Sequence, residues 1–203
     1  IAHHYNENKN SFYKIFGFKK EIEKFIPSSL DKNSFEIIES NSKVEDTDSP
    51  LSAAKKGKDS SMWLAVESVK NKSADIVISA GNTGALFVIA KLNLKMIPNI
   101  DKPALSALWP NKKGMSVVLD LGANIECNEK NLIDFSIMGA ALFKSLFADE
   151  TPKVALLNIG SEELKGNSII KNTYQDLLKL NSSLFEFKGY VEGNNIMSGK
   201  VNV

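Results

Sequence analysis

Arginine is absent from this sequence of 203 residues, so all 25 basic residues are lysines. A bound anion must therefore be held by ammonium groups, hydroxyls or backbone N–H groups, because no guanidinium can pair with it bidentately. The two histidines, His3 and His4, lie together at one end of the chain, and Cys127 is the single cysteine. This composition excludes an internal disulfide and fits a reducing cytoplasm. It also argues against a zinc site and against a Ser-His or Cys-His nucleophile.

The formal net charge is only +1, which gives no electrostatic basis for binding nucleic acid or an anionic membrane. No apolar run approaches the roughly 18 residues of a membrane helix, and the N-terminus lacks the pattern of a signal peptide. We expect one domain over residues 1–203, with a polar excursion around residues 40–57. Because the chain lacks an initiator Met and stops within a strand-like run at Val201, we also expect a fragment of a longer protein.

One pattern recurs three times from residue 75 onward: a short β-branched or apolar strand, a Gly-containing polar turn and a helix. The three predicted strand and helix pairs are 75–79 with 85–95, 116–120 with 131–147, and 153–157 with 168–180. Other predicted strands lie at 12–18, 35–38, 105–108, 185–191 and 200–203, and other helices at 19–25 and from Asp59 or Ser60 to about 69. Such alternation predicts an α/β fold with a doubly wound, mostly parallel sheet and helices on both faces.

Ligands of open α/β sheets bind beyond the carboxyl ends of the strands, where we expect all three turns to lie. The turn Gly81-Asn82-Thr83-Gly84 leads into a helix, whose first N–H groups attract anions. It matches neither a Walker loop nor a dinucleotide motif. Each turn could equally be a tight connection. Asp120 and Asn124 could position a substrate, or they could brace their turn through hydrogen bonds to the backbone.

Two lysine-containing segments precede predicted helices. Lys55, Lys56 and Lys58 could be a solvated charge run before a helix cap, or a contact for phosphate or an acidic partner. Lys165 and Asn167 form either a helix-start loop or a charged contact of the third turn.

Six strings occur in an order that resembles the phosphate acyltransferase family of bacterial phospholipid synthesis, from about Asp46 to the last residue. The strings are KDSSM at 58–62, SAGNTGAL at 79–86, DKPAL at 101–105, LDLGAN at 119–124, LLNIG at 156–160 with KGN at 165–167, and VEG at 191–193. The resemblance implies a Rossmann-like fold related to phosphotransacetylases and isocitrate dehydrogenase-like enzymes. It also implies a cytoplasmic homodimer and transfer of a fatty acyl group from acyl carrier protein to inorganic phosphate.

This chemistry needs no Ser, Cys or His intermediate, because phosphate is its own nucleophile and the thioester is already activated. We expect no cofactor and no metal. We expect Gly81, Asn82, Thr83 and Gly84 to bind phosphate. Lys165 and Asn167 would neutralise developing charge, and Asp120 and Asn124 would orient the thioester. The three lysines Lys55, Lys56 and Lys58 would meet the carrier protein.

The resemblance also implies peripheral contact with the inner membrane surface, where a glycerol-phosphate acyltransferase takes the acyl phosphate. Family members carry an Asp-Ala-Met-Gly-Gly-Asp stretch before the matched region and an Asp-Gly-Phe-x-Gly-Asn loop after it, and both are missing here. Two alternatives remain open. One is a non-catalytic module that binds carrier protein or a membrane. The other is a nicotinamide-dependent decarboxylating dehydrogenase, which the lack of arginine disfavours.

Overall fold

The computed structural model describes residues 1–160, 166–180 and 182–203, without the side chain of Lys56. The residues form two compact units, Ile1–Met96 and Ile97–Val203. The expected single domain over residues 1–203 stays a prediction.

The first unit combines a parallel strand pair with helices that share one core. Ser60 starts one of these helices by accepting a hydrogen bond from the Trp63 N–H at 3.3 Å, as an N-cap serine does. The elements are α1 (Ala2–Glu7), β1 (Tyr13–Gly17), α2 (Lys19–Ile22) with a 3₁₀ turn (Glu23–Phe25), β2 (Phe35–Glu39), α3 (Pro50–Lys56), α4 (Ser61–Lys70) and α5 (Thr83–Leu94). The core joins α3, α4 and α5 through Ala53, Ala54, Met62, Val66, Ala85 and Ile89.

Helix α3 lies inside the segment expected to be a polar excursion. The interpretation of residues 40–57 as a loop outside the core is wrong for this part, because Ala53 and Ala54 are only 4% and 5% exposed. The helix begins with two local signals: Ser49 accepts a hydrogen bond from the Ser52 N–H, and Pro50 occupies the first helical position.

The strand predicted at 75–79 is not formed. Ile76 and Ile78 are 74% and 88% exposed, whereas Val77 packs against the core of the first unit. A β-branched run becomes a strand only when a neighbouring strand accepts its backbone hydrogen bonds, and none of the described strands pairs with these residues.

The second unit contains an antiparallel and a parallel strand pair. Its elements are β3 (Ser106–Asn111), β4 (Gly114–Leu119), α6 (Glu129–Leu146), β5 (Lys153–Leu157), α7 (Ser168–Lys179), β6 (Glu186–Val191) and a 3₁₀ turn (Gly193–Ser198). Strands β3 and β4 run antiparallel, and β5 and β6 run parallel. The core around β5, α6 and α7 includes Ala140, Val154, Leu156, Leu177 and Phe185.

The chain end joins the two strand pairs of this unit. The Val117 N–H in β4 donates to the Asn202 carbonyl at 2.9 Å, and the Ala155 N–H in β5 donates to the Val203 carbonyl at 3.0 Å. Residues 202–203 therefore lie between β4 and β5, where the sequence predicted a strand at 200–203.

The α/β, Rossmann-like fold class is confirmed. Helices α5, α6 and α7 and strands β3 to β6 lie within a few residues of their predicted bounds. In the described ranges, no helix is both long enough and apolar enough to span a bilayer.

Candidate functional site

The turn before α5 is fixed by the Asn82 side chain. Its Oδ1 accepts a hydrogen bond from the Ala85 N–H at 3.0 Å and so caps the helix. Its Nδ2 points toward three backbone carbonyls, those of Glu45, Asp46 and Asp48, at 3.4, 3.2 and 3.1 Å. Both ends of this amide are thus occupied, and the turn is tied to a loop more than 30 residues earlier in the chain.

The donors that remain open at this turn belong to Thr83 and Gly84. The Gly81 N–H is used by Ser79 Oγ at 3.2 Å. Thr83 is exposed, and across the described residues no hydrogen bond occupies its hydroxyl or the N–H groups of Thr83 and Gly84. Gly84 also permits close packing, because a Cβ there would lie 2.8 Å from Pro50 Cγ. A helix N-terminus with unfilled N–H groups and an exposed hydroxyl can bind an anion.

The second predicted turn is built around the Asp120 carboxylate at the end of β4. Its Oδ1 accepts from the N–H groups of Leu105 at 2.8 Å and Ala123 at 3.4 Å. Its Oδ2 accepts from the backbone N–H and the side-chain amide of Asn124 at 2.8 and 2.9 Å. The same amide donates to the Pro103 carbonyl at 2.8 Å. The sequence left two roles open for Asp120 and Asn124. The observed hydrogen bonds are those of residues that brace the turn.

Asn167 begins α7 in the third predicted turn, and its Oδ1 accepts from the Ile170 N–H at 2.9 Å. The preceding Gly166 has a φ of +96°, and a Cβ there would lie 2.6 Å from Asn158 Oδ1. This left-handed residue lets the turn approach the end of β5 closely. Lys165 lies outside the described residues.

Lys55 and Lys58 are exposed near the end of α3, and neither forms an ion pair with a described residue. The Lys56 side chain lies outside the description. The two described lysines therefore present unpaired positive charge to solvent, which suits either of the interpretations that the sequence left open.

A cavity of about 390 Å³ lies within the second unit, beside Asp120 and Asn124. Its apolar lining includes Val117, Leu132, Phe135, Val154 and Ile170. Cys127, the single thiol of the chain, is half-buried and also lines this cavity.

Comparison with known proteins shows which family this chain belongs to. A profile described as "Fatty acid synthesis protein" matches residues 3–203. The chain belongs to this family. A "Phosphate acyltransferase" of Pelagibacter ubique (strain HTCC1062) is 69% identical over the whole chain, which covers 61% of that relative. Proteins of the same name from Maricaulis maris (strain MCS10) and Rhizobium etli (strain ATCC 51251 / DSM 11541 / JCM 21823 / NBRC 15573 / CFN 42) are 45% and 39% identical over 79% and 93% of the chain.

The chain spans 45–61% of the length of these three relatives. Membership of the family confirms the resemblance inferred from the six sequence strings.

The predicted site residues fall into two groups, one in each unit. In the first unit the structure brings Gly81, Asn82, Thr83 and Gly84 together at the start of α5. In the second unit Asp120 and Asn124 are in direct contact. Asn167 starts α7, the helix that packs against α6. The catalytic and binding roles of all these residues stay predictions.

Two residues of the 101–105 string, to which the sequence assigned no role, form hydrogen bonds that stabilise the second turn. The backbone N–H of Leu105 and the carbonyl of Pro103 are the partners of Asp120 and Asn124. Lys102 Nζ donates to the Glu126 carbonyl at 2.6 Å on the far side of the turn. No spacing in the sequence predicts this pairing, because Leu105 and Asp120 lie 15 residues apart along the chain.

Lys130, which the sequence did not single out, holds the same region to α6. Its Nζ contacts Asp134 Oδ2 at 2.7 Å, the Asn99 carbonyl at 2.6 Å and Asp101 Oδ2 at 3.2 Å. The hydrogen bond to Asp134, followed by the effects of Asp101, raises the pKa of Lys130 against an opposing effect of desolvation. No motif spacing marks this lysine.

Proposed function

We propose that the protein containing this chain transfers a fatty acyl group from the thioester of acyl carrier protein to inorganic phosphate, giving acyl phosphate for membrane phospholipid synthesis. The family and the names of the relatives support a phosphate acyltransferase. The observation that carries the proposal on this chain is the open N-terminus of α5, where Thr83 and Gly84 offer donors that no described residue uses.

In the proposed reaction a phosphate oxygen attacks the thioester carbonyl carbon. The carbonyl π electrons move to oxygen, and their return expels the thiolate, which takes up a proton, so a C–O bond replaces the C–S bond. No covalent intermediate on the protein is needed. The protein must position the two substrates, which can supply about 7–11 kcal/mol, and stabilise the oxyanion, at about 3 kcal/mol for each well-placed donor.

The hydrogen bonds of the first turn divide its residues into two roles. The Thr83 hydroxyl and the N–H groups of Thr83 and Gly84 are the proposed direct phosphate contacts. Asn82 acts through the turn, because both ends of its amide are already bonded. Gly81 contributes only its backbone to the turn that leads into α5.

Roles in the second unit concern the thioester and developing charge. Asp120 is the proposed positioning residue for the turn, and Asn124 for the thioester, since the Asn124 Oδ1 has no hydrogen bond to a described residue and its amide lies beside the cavity. Lys165 and Asn167 would neutralise charge on the transferring group. Asn167 can do so through its Nδ2, because its Oδ1 caps α7.

Lys55, Lys56 and Lys58 are the proposed contacts for the acidic carrier protein or the phosphate of its pantetheine arm. The charges of Lys55 and Lys58 are exposed and unpaired among the described residues. We further propose that the protein is a cytoplasmic homodimer that contacts the inner membrane surface. There a glycerol-phosphate acyltransferase would take the acyl phosphate as its substrate.

The full-length protein should be mixed with acyl-[acyl carrier protein], with and without inorganic phosphate, and acyl phosphate trapped with hydroxylamine. Phosphate-dependent hydroxamate above the enzyme-free control is expected. If the carrier protein binds but its thioester stays intact, the proposed enzymatic activity is contradicted. That result would favour a non-catalytic binding module.

Thr83→Val tests the phosphate site because it removes the hydroxyl at nearly constant volume. Loss of one donor to the anion should reduce turnover about 10²–10³-fold if that donor acts in the transition state. Thr151→Val is the matched control, since Thr151 is also exposed but lies in the second unit, two residues before β5. Equal turnover and phosphate dependence of the two variants would overturn the assignment of Thr83.

A further inference from the structure

We propose that the cavity beside Asp120 and Asn124 binds the hydrocarbon chain of the acyl group. This inference rests on the proposed function and adds the place where the apolar part of the substrate lies. The cavity volume of about 390 Å³ falls within the range of about 300–1,000 Å³ that is usual for small-molecule sites.

The lining includes both fully buried apolar side chains and half-buried polar side chains. The lining residues Val117, Phe135 and Val154 are 0%, 3% and 2% exposed. The lining residues Asp120, Asn124 and Cys127 are half-buried and therefore lie nearer solvent. An acyl chain suits this lining, because its hydrocarbon would contact the buried apolar side chains and its carbonyl end the turn that carries the predicted thioester residues.

Three polar side chains of the lining, those of Ser116, Asp120 and Ser136, are already bonded, which disfavours a polar ligand there. Ser136 Oγ donates to the Leu132 carbonyl at 2.8 Å within its own helix. Ser116 Oγ accepts from the Asn111 amide at 2.8 Å and donates to the Val201 carbonyl at 3.3 Å. The Asp120 carboxylate receives the four donations described above. A polar ligand would find few partners to replace its lost water, whereas a hydrocarbon chain needs none.

Cys127 provides a readout that does not depend on catalysis. A ligand in the cavity should shield this thiol, so labelling by a thiol reagent would slow as the cavity fills. The probes are octanol, decanol and dodecanol, which avoid charge repulsion from Asp120 and cannot acylate the thiol. Labelling of the full-length protein is followed at Cys127 by mass spectrometry of its peptide.

We expect saturable protection of Cys127 whose midpoint depends on chain length. Each methylene transferred from water strengthens binding about fourfold, so the midpoint should fall about fifteenfold from octanol to decanol. Absence of protection, or protection independent of chain length, would overturn the proposal.

Variants then locate the bound chain. Ser136→Leu adds volume to a buried position of the lining on α6 and should raise the decanol midpoint about fifteenfold, the equivalent of two methylenes. Ala141→Leu adds a similar volume on an exposed position of the same helix, outside the lining, and should leave the midpoint unchanged. Equal midpoints for the two variants would place the ligand elsewhere and overturn the proposal.

Ala155→Leu fills the cavity from β5 and replaces Ser136→Leu if that variant does not fold. If neither folds, the chain-length series on the unaltered protein decides alone. The alcohol assay contains neither phosphate nor carrier protein, so its failure and the failure of the proposed function are distinguishable. Protection without acyl transfer would reject the reaction and keep the binding site, and transfer without protection would reject the site alone.

Discussion

Asn124 donates both its backbone N–H and its side-chain amide to one oxygen of Asp120, at 2.8 and 2.9 Å. The other oxygen receives the N–H groups of Leu105 and Ala123. The carboxylate therefore organises two chain segments at once, the end of β4 and the approach to β3. A substrate at this turn would meet a surface that is already rigid, which is the arrangement that positioning requires.

Asp120→Asn should destabilise the second unit. An amide nitrogen would replace one carboxylate oxygen and face N–H donors, and hydrogen bonds to a charged acceptor are worth about 1.5–3 kcal/mol each. We expect the free energy of unfolding, measured by urea denaturation of the full-length protein, to fall by about 2–3 kcal/mol. The control is Asp149→Asn at an exposed site without an ion pair to a described residue, expected within about 0.5 kcal/mol. Equal midpoints for the two variants would contradict the bracing role.

Asn82→Asp should cost stability although aspartate is a good N-cap. The substitution keeps the oxygen that accepts from Ala85 but places a second carboxylate oxygen against the Asp46 and Asp48 carbonyls. We expect a loss of about 1–3 kcal/mol in thermal or urea unfolding, because a bonded donor becomes an opposed acceptor.

Asn167→Asp is the matched control for this change. Asn167 caps α7 through its Oδ1, and it is exposed. Aspartate should therefore cap α7 as well as asparagine does, with a change within about 0.5 kcal/mol. A comparable loss at both positions would contradict the role assigned to the carbonyl contacts, because only Asn82 makes them.

The helices of this chain follow from local signals, whereas the strand predicted at 75–79 fails for want of a distant partner. Ser60 and Asn167 cap α4 and α7 where the sequence predicted helix starts. The segment 75–79 has a strand-forming composition, but its composition cannot specify a neighbouring strand. Helix α3 was missed although the signals at Ser49 and Pro50 are local, because the polar residues around them were interpreted as loop.

In the candidate site, too, the residues of each turn could be predicted from local sequence, but their distant partners could not. The residues of the Asn82 and Asp120 turns could be singled out as small polar residues at strand ends or helix starts. Their actual partners could not, because Asp48 and Leu105 lie 34 and 15 residues away along the chain. The cavity depends on elements from β3 to the chain end, so no local spacing predicts it.

Glu129 links α6 to α7 in a way that makes this contact sensitive to acid. Its Oε1 accepts a hydrogen bond from Asn172 Nδ2 at 3.0 Å, and this bond, followed by a backbone hydrogen bond, lowers the pKa of the carboxyl. A carboxyl whose pKa is lower in the folded state stabilises the fold at pH above its unfolded pKa. This contribution is lost as the pH falls through the folded pKa.

The test is an NMR titration of the Glu129 carboxyl. Asn172→Ala should raise its pKa toward the ordinary glutamate value, and Asn194→Ala, at an exposed position in another segment, should leave it unchanged. An identical pKa in the Asn172 variant would contradict the assigned cause.

Substitution by leucine should change the free energy of unfolding in opposite directions at two buried asparagines. Asn93 in α5 and Asn131 in α6 are each 2% exposed. Neither Nδ2 nor Oδ1 of Asn93 has a hydrogen-bond partner in the part of the chain that the structure describes. Asn131 completes a capping box, in which its Oδ1 accepts from the Asn128 N–H at 3.2 Å.

Asn93→Leu removes an unsatisfied buried amide and keeps the branching at Cγ, so the free energy of unfolding should rise by about 1–2 kcal/mol. Asn131→Leu breaks the capping box and should lower it by about 1 kcal/mol. Urea denaturation of both variants in the full-length protein measures the difference. A loss of stability in Asn93→Leu would contradict the prediction that an unsatisfied buried amide lowers the stability of the folded protein.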